Sequence, residues 1–486
     1  MKTDFLDEPE LEFGHGGRHV DIRFGLMSFG PLDLGSPRRP QDISVAIIGT
    51  GETIDGMSRW FEACRKELPA KDSPRPNLFP RFPGFDTTTP FQAKLALDST
   101  LQGQILQRDL DRVIAGPTDR LIADSVELFL GEARRLIEKG RCDVVVCAPP
   151  AQLMDAIDPL ASGRLPSQEE PDADESSTPL PPVAFHDVLK ARGMPLGVPI
   201  QMIRPSTYGG RARRRQHKGT SRPDAVQDPA TRAWNVHTAL YYKAGGVPWR
   251  LQRDPSALTT CYVGISFYKS TDGERLLTSM AQVFDERGDG VIVRGGPAEV
   301  HKDDRQAHLE HGAIQSLITQ ALKAYRGEHR TAPARILVHK TSLFNADEIA
   351  GCVSAASDAA IDTLELLTVR SGQTRAFRTG VYPPLRGTFI TLDEQQQLLY
   401  TRGSVAFFSA YPGLYVPHPL DLLPAAIESP PIQLAAEILA LSKMNWNNTQ
   451  FDGGWPITLR AAKQVAAILR QCSDEAAVQA RYAYYM

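Results

Sequence analysis

The stretch CYVGISF (Cys261–Phe267), read together with the segments that follow it, decides the fold of the second half of this chain. It is a short apolar run rich in β-branched and aromatic residues, the signature of a buried strand. Thr278–Asp285 and Gly290–Val293 read as two further strands. Gly273 and the pair Gly288/Gly290 supply the turns, so the three strands form a meander. A helix is predicted over Asp304–Arg326, then a strand over Arg335–His339, a helix over Asn345–Ser354 and a strand over Thr363–Val369.

Three hairpin-linked strands followed by alternating helices and strands is the order of a ribonuclease-H-like fold. Upstream the alternation starts at once. Ile43–Gly49 (ISVAIIG) reads as a buried strand, Leu121–Gly140 as an amphipathic helix and Val144–Cys147 as a strand. His186–Arg192 follows as a helix, Val198–Ile203 as a strand, and Thr231–Lys243 as a helix closed by Gly245–Gly246. Strands alternating with helices imply a parallel, Rossmann-like α/β layer. A chain of 486 residues suits two domains of roughly 200–250 residues. With the junction near Asp254–Ser256, the expected domains are 1–254 and 255–486. Ser162–Pro182, rich in Pro, Ser and acid, is expected to be a solvated loop in the first domain.

Composition narrows the function. The formal net charge is -3, so any nucleic-acid contact must come from clustered rather than overall basicity. One such cluster is Arg211–Lys218 (RARRRQHK), expected to be a loop near a nucleic-acid path. None of the six cysteines forms a C-x-x-C pair, and several sit in apolar runs such as CDVVVCA (Cys142–Ala148). They read as reduced core thiols of a cytoplasmic protein, not as a disulfide or zinc framework. The acidic opening MKTDFLDEPELEFG has no apolar core of a signal peptide, and no apolar run approaches the roughly 20 residues that span a bilayer.

Candidate binding residues gather in the first half. Gly49-Thr50-Gly51 after the first strand is a near miss to a dinucleotide motif. The next glycine, Gly56, is out of register, and Glu52 would face a pyrophosphate. It reads as a strand-to-helix turn. His186 and Lys190, four apart, share one helical face and could grip a phosphate. Gln201 and Arg204 lie near the end of a buried strand, where open α/β sheets place ligands. Lys243 closes a helix. Together they suggest a pocket for a multiply charged anion. In the second half, His308 and His311 are expected on one solvated helix face.

Three segments in order, FHDVLKARG, VPIQMIRPST and ALYYKAGGVPW, resemble the Mid domain of short prokaryotic Argonautes. Pro9–Asp33 resembles the N-terminal signature of that family, and Leu441–Leu469 the closing segment of its Piwi domain. The resemblance implies a Rossmann-like Mid domain (1–254) followed by a ribonuclease-H-like Piwi domain (255–486). It places the 5′-phosphate of a guide strand on His186, Lys190, Gln201 and Lys243. The apolar tail Tyr482–Met486 would return to the Mid pocket, where the terminal carboxylate of Met486, with Gln201, would hold Mg²⁺ against the phosphate. The implied partners are a guide RNA, a single-stranded DNA target and an effector subunit. That subunit carries an APAZ region fused to a sirtuin-like or TIR domain that consumes NAD in defence against plasmids or phage. Pro9–Asp33 leans toward the sirtuin-like branch.

Cleavage at a ribonuclease-H-like site needs carboxylates on adjacent strands to hold two metal ions. An active Argonaute carries Asp where this sequence has Ser266. No carboxylate follows the strand Ile336–Val338, where Thr341 stands, and Asn445, Asn447 and Asn448 take the third position. Ser266, Thr341 and Asn447 therefore read as a degenerate nuclease site, and the chain as a non-cutting binder whose enzymatic output lies in the partner. Two rivals are an active guide-directed nuclease with carboxylates elsewhere, and a metabolic α/β enzyme binding a nucleotide at Gly49–Gly56.

Overall fold

The computed structural model describes residues 1–161, 183–209, 227–252, 256–283, 290–377, 379, 383–411, 413, 416–450, 453–473 and 478–486. The basic segment Arg211–Lys218 and the acidic stretch Ser162–Pro182 lie outside them, as do Asp254, Gly288 and Asp452. The chain opens with β1 (Lys2–Phe5), β2 (Leu11–Glu12), β3 (Arg18–His19) and α1 (Ile22–Phe29). Asp21 caps α1 by accepting from the backbone N–H groups of Arg23 and Phe24.

The first large layer is a four-stranded parallel sheet of β4 (Asp42–Gly49), β5 (Lys94–Gln104), β6 (Val144–Ala148) and β7 (Ile200–Met202). Its order is β5-β4-β6-β7. Helices α2 (Gly51–Ala63), α3 (Gln107–Ile114), α4 (Leu121–Lys139), α5 (Ala151–Ala161), α6 (Phe185–Gly193), α7 (Pro205–Tyr208) and α8 (Pro229–Lys243) complete it. The central strands β4 and β6 read as apolar runs because both faces are buried. Val45 and Ile47 pack toward α2 and α8, while Ala46 and Ile48 pack toward α4. From the central β4 the chain goes outward to β5 and later returns to β6 on the other side. The carboxyl ends of β4 and β6 thus form the topological switch point of the sheet.

After β8 (Arg250–Leu251), the strands β9 (Thr260–Lys269), β10 (Leu276–Val283) and β11 (Gly290–Val300) form the expected antiparallel meander. Then come β12 (Ala307–His308), α9 (His311–His329), β13 (Arg335–Lys340), α10 (Ala346–Asp358) and β14 (Thr363–Ser371). β13 runs parallel to both β9 and β14, so the order β11-β10-β9-β13-β14 is ribonuclease-H-like. β15 (Thr388–Thr391), β16 (Gln397–Leu399), β17 (Leu420–Ala426), α11 (Pro431–Leu441) and α12 (Ile457–Leu469) finish the layer.

Two expectations need correction. The helix begins at His311 rather than Asp304, so His308 and His311 do not share a helical face. His308 is buried instead, with Nδ1 2.9 Å from Glu348 and Nε2 2.8 Å from Asp304. And β1, grouped by sequence with the first domain, pairs antiparallel with β15 as an edge strand of the second sheet. The N-terminal segment ties the halves together further, since Glu8 pairs with Arg386 at 2.9 Å and with Lys443 at 3.1 Å in the second half.

One apolar core crosses the seam between the layers. Trp234 and Tyr241 of α8, Trp446, Ile457 and Leu469 of the second half, and Tyr485 and Met486 of the tail all belong to it. Tyr242 stacks on Trp446 with ring centroids 4.8 Å apart. The β9–α12 contact depends on a bare backbone: a Cβ at Gly264 would collide with the Thr458 carbonyl. Gly264→Ala should therefore lower stability by about 1–3 kcal/mol, read as a drop in the urea midpoint. Gly296→Ala, where a Cβ meets nothing within 4 Å, should stay within about 0.5 kcal/mol of wild type.

Candidate functional site

Helix α6 packs against α4 on one side and α12 on the other, so Lys190, in its last turn, cannot reach water. It is 2% exposed, and its Nζ donates to the Ile200 carbonyl at 2.8 Å. Lys243 ends α8 and is equally buried. Its Nζ donates to the Met486 main-chain oxygen at 2.8 Å. The two side chains are close enough that each shifts the titration of the other. Burial lowers the Lys190 pKa to about 8, and it holds Lys243 well below its ordinary range, with the Lys190 charge adding to the effect.

His186 sits one turn before Lys190, half-buried, with Nδ1 2.8 Å from Asp187 Oδ1. Burial lowers its pKa, Asp187 opposes this, and the two lysines push the same way as burial. The structure therefore brings together His186, Lys190 and Lys243. Gln201 stands on β7 next to Ile200, which accepts from Lys190. Its Nε2 donates to the Met202 carbonyl at 3.1 Å, while its buried Oε1 has no partner among the described residues. A buried amide oxygen left without a donor is costly unless a ligand meets it. Oxygen donors of this kind suit Mg²⁺, and Gln201 Oε1 is one left unmatched.

The tail is held in place by side chains reaching back to the first layer. Tyr484 donates to the Gly197 carbonyl at 2.7 Å and Gln479 to the Met194 carbonyl at 3.2 Å. Tyr485 donates to the Gln479 carbonyl at 2.8 Å. The residues just before them join β11, where the Ile292 N–H donates to the Ala480 carbonyl at 2.7 Å. Sequence reasoning missed Arg470, the C-cap of α12, which lies within electrostatic range of Asp187 and has a buried Nε without a partner among the described residues. In sequence it reads as a basic residue complementing a helix dipole. Arg204 is committed elsewhere, to Asp158 at 3.1 Å.

In the second layer, β13 and β9 are in register at Lys340 and Ile265, so Thr341, just past the end of β13, follows beside Ser266 inside β9. Ser266 is 1% exposed, opposite Ser279, and its Oγ has no partner among the described residues. Ser279 Oγ donates to the Ala462 carbonyl of α12 at 2.9 Å. The helix over Ser266 thus presents Thr458 and Ala462, not Asn447. Asn447 lies in the turn before α12, which holds to the first layer through Trp446–Trp249 at 3.2 Å and Thr449–Asn235 at 3.0 Å. The sequence run NWNN was placed one element too late. The buried carboxylate near Thr341 is Glu348, and it is already engaged by Lys340, His308, the Leu309 N–H at 2.9 Å and the Asn345 N–H at 3.1 Å. Among the described residues no group of three or more His, Cys, Asp or Glu side chains is placed to hold a metal. No helix among them is long and apolar enough to cross a membrane.

No protein-family model matches this sequence. No curated protein matches it either. Solved structures do. The chain is similar to Clostridium butyricum Argonaute bound to a guide DNA and a 19-mer target DNA, at 14% identity and a TM-score of 0.65, over 99% of this chain and 54% of that one. Drosophila Piwi matches at 14% identity and a TM-score of 0.57, over 99% and 56%. Aa-Ago with externally bound siRNA matches at 14% identity and a TM-score of 0.59, over 99% and 56%. The chain spans about half the length of these proteins. Its fold is that of their Rossmann-like Mid and ribonuclease-H-like Piwi layers.

The lysine pocket makes a pH prediction for the protein without ligand. Unfolding returns Lys190 from about 8 to its ordinary 10.5, so the unfolded chain binds more protons between these values. The penalty of burying the charge is complete below pH 8 and is relieved as pH rises toward 10.5. Lys190→Met should therefore be more stable than wild type at pH 7, by roughly 1–3 kcal/mol. That advantage should shrink steadily from pH 8 to pH 10 in urea melts. A difference that stays flat would show that Lys190 is not strained by its burial.

Proposed function

We propose that this chain is a guide-binding, non-cutting Argonaute-like protein. The single observation behind this reading is the pair of buried lysines, Lys190 and Lys243, with only main-chain oxygens as their hydrogen-bond acceptors among the described residues. Two cations held apart from water need an anion of two charges, and a terminal phosphate supplies one with three acceptor oxygens. His186 lies beside the pair as a further donor. The likeness in fold to Argonautes in complex with nucleic acid makes the 5′-phosphate of a guide strand the best candidate anion.

In this reading Gln201 Oε1 and the Met486 oxygen hold a Mg²⁺ ion on the phosphate, which neutralises charge that the lysines leave over. The guide, a short RNA, then extends toward the second layer and pairs with single-stranded DNA. Ser266 and Thr341 offer no carboxylate on the neighbouring strands where a two-metal cleavage site would be built. Output therefore lies with a partner subunit, an APAZ-containing effector with a sirtuin-like or TIR NADase domain. Target pairing biases the shared interface, as any ligand that prefers one state shifts a population. The setting is cytoplasmic defence against plasmids or phage.

The test compares 5′-phosphorylated with 5′-hydroxyl guides. Wild type should prefer the phosphorylated strand. Each charge-assisted contact contributes roughly 1.5–3 kcal/mol, so Lys190→Ala/Lys243→Ala should lose about 100-fold or more in affinity for the phosphorylated guide and bind both guides alike. Wild-type preference should also fade above pH 8, as free Lys190 loses its proton, by at most tenfold per pH unit. A double variant that still discriminates would remove the phosphate from this pocket.

A further inference from the structure

We infer a second ligand site, for a nucleoside monophosphate, in the crevice at the switch point of the first sheet. A cavity of about 600 Å³ opens between the loops that follow β4 and β6. That is where open α/β sheets place small ligands, and the volume falls in the range of small-molecule sites. None of His186, Lys190, Gln201 and Lys243 lines it, so it is separate from the phosphate pocket above.

The walls suit a base and a phosphate at opposite ends. Along α2, Glu52, Gly56, Arg59, Trp60 and Ala63 recur on one face and form a wall roughly 16 Å long. The facing wall is α7, whose Tyr208 ring lies against Gly56, where a Cβ would come within 2.9 Å of it. Gly56 is the bare position that lets the ring approach. Trp60 and Tyr208 give the aromatic surface on which a base stacks. The Tyr208 hydroxyl is buried and has no hydrogen-bond partner among the described residues. Burial raises its pKa to about 12, so it remains a donor. An unmatched hydroxyl in the wall of a cavity is satisfied by a ligand acceptor, such as a ribose oxygen or a base edge, that displaces the surface over it.

The floor carries the opposite chemistry. α2, α3 and α5 all begin at the cavity, at Gly51, Gln107 and Ala151. Thr50 Oγ1 caps only the Thr53 N–H, which leaves the N–H groups of Gly51 and Glu52 without intrahelical acceptors. Converging amino ends favour a phosphate. The single acid and single arginine of the lining, Glu52 and Arg59, cancel in charge. A mononucleotide fits this balance better than a polyphosphate, which Glu52 would repel.

The experiment is titration calorimetry of the full chain with AMP, GMP, CMP and UMP in turn. At least one should bind saturably below about 1 mM. Tyr208→Phe should weaken it roughly 3–10-fold, the loss of one hydrogen bond. Ala151→Trp, which fills the floor from an exposed position, should abolish it while leaving preference for a 5′-phosphorylated guide intact. Lys190→Ala/Lys243→Ala should leave nucleotide binding within twofold, and a saturating 5′-phosphorylated guide should not displace the nucleotide. Unchanged melting midpoints show that the variants fold. No saturable binding of any nucleotide overturns the inference. So does binding that survives Ala151→Trp, ignores Tyr208→Phe, vanishes in the lysine variant or yields to the guide. In the last two cases the nucleotide occupies the guide pocket and the guide reading itself stands.

Discussion

Two ammonium groups buried against each other, each bonded to a main-chain oxygen, constrain both the architecture and the chemistry of this chain. Like charges removed from water repel more strongly than at a surface. Four parts of the chain must converge to hold them there. α6 brings Lys190, α8 brings Lys243, β7 brings the Ile200 carbonyl and the tail brings Met486. The tail reaches that point because it crosses from β11 of the second sheet into the apolar core shared by both layers. The shared core is thus what makes a strained electrostatic arrangement stable enough to persist without a ligand. The same arrangement is what gives a phosphate so much to gain by entering.

The second layer has the opposite character. Ser266 inside β9 and Thr341 just past β13 carry neutral side chains, and the buried carboxylate of Glu348 is engaged by Lys340, His308 and two backbone donors. Glu348 also closes a capping box with Asn345 at the start of α10. Breaking one of those bonds to recruit a metal would leave a buried cation exposed to the same kind of penalty seen at Lys190. The layer therefore offers no free buried acid at Glu348, and the unmatched charges lie in the first layer.

Much of this was legible in the sequence. The meander Cys261–Phe267 onward and the strands Ile43–Gly49 and Val144–Cys147 carry apolar runs that only buried sheets explain, and all are strands. His186 and Lys190 could be singled out by their spacing of four on one helix, and Lys243 because it ends another. What could not be read depends on contacts far apart in sequence. β5 (Lys94–Gln104) hides because Asp98-Ser99-Thr100 breaks its pattern, and its register against β4 shifts there. His308 reads as a surface residue until Glu348, forty positions on, is seen to bury it. Asn447 falls in the turn before α12, because Pro456 sets the start of that helix. Arg470 is visible only once α12 packs against α6.

The central claim is that the chain holds a guide and its target without cutting either. The direct measurement loads the purified chain with a 5′-phosphorylated guide, adds an end-labelled complementary single-stranded DNA with Mg²⁺ or Mn²⁺, and follows the label by denaturing gel and by native mobility. The account predicts a stable ternary complex with the label at full length after hours. Cleavage of the target at a defined position opposite the guide, or failure to form the complex at all, would contradict it.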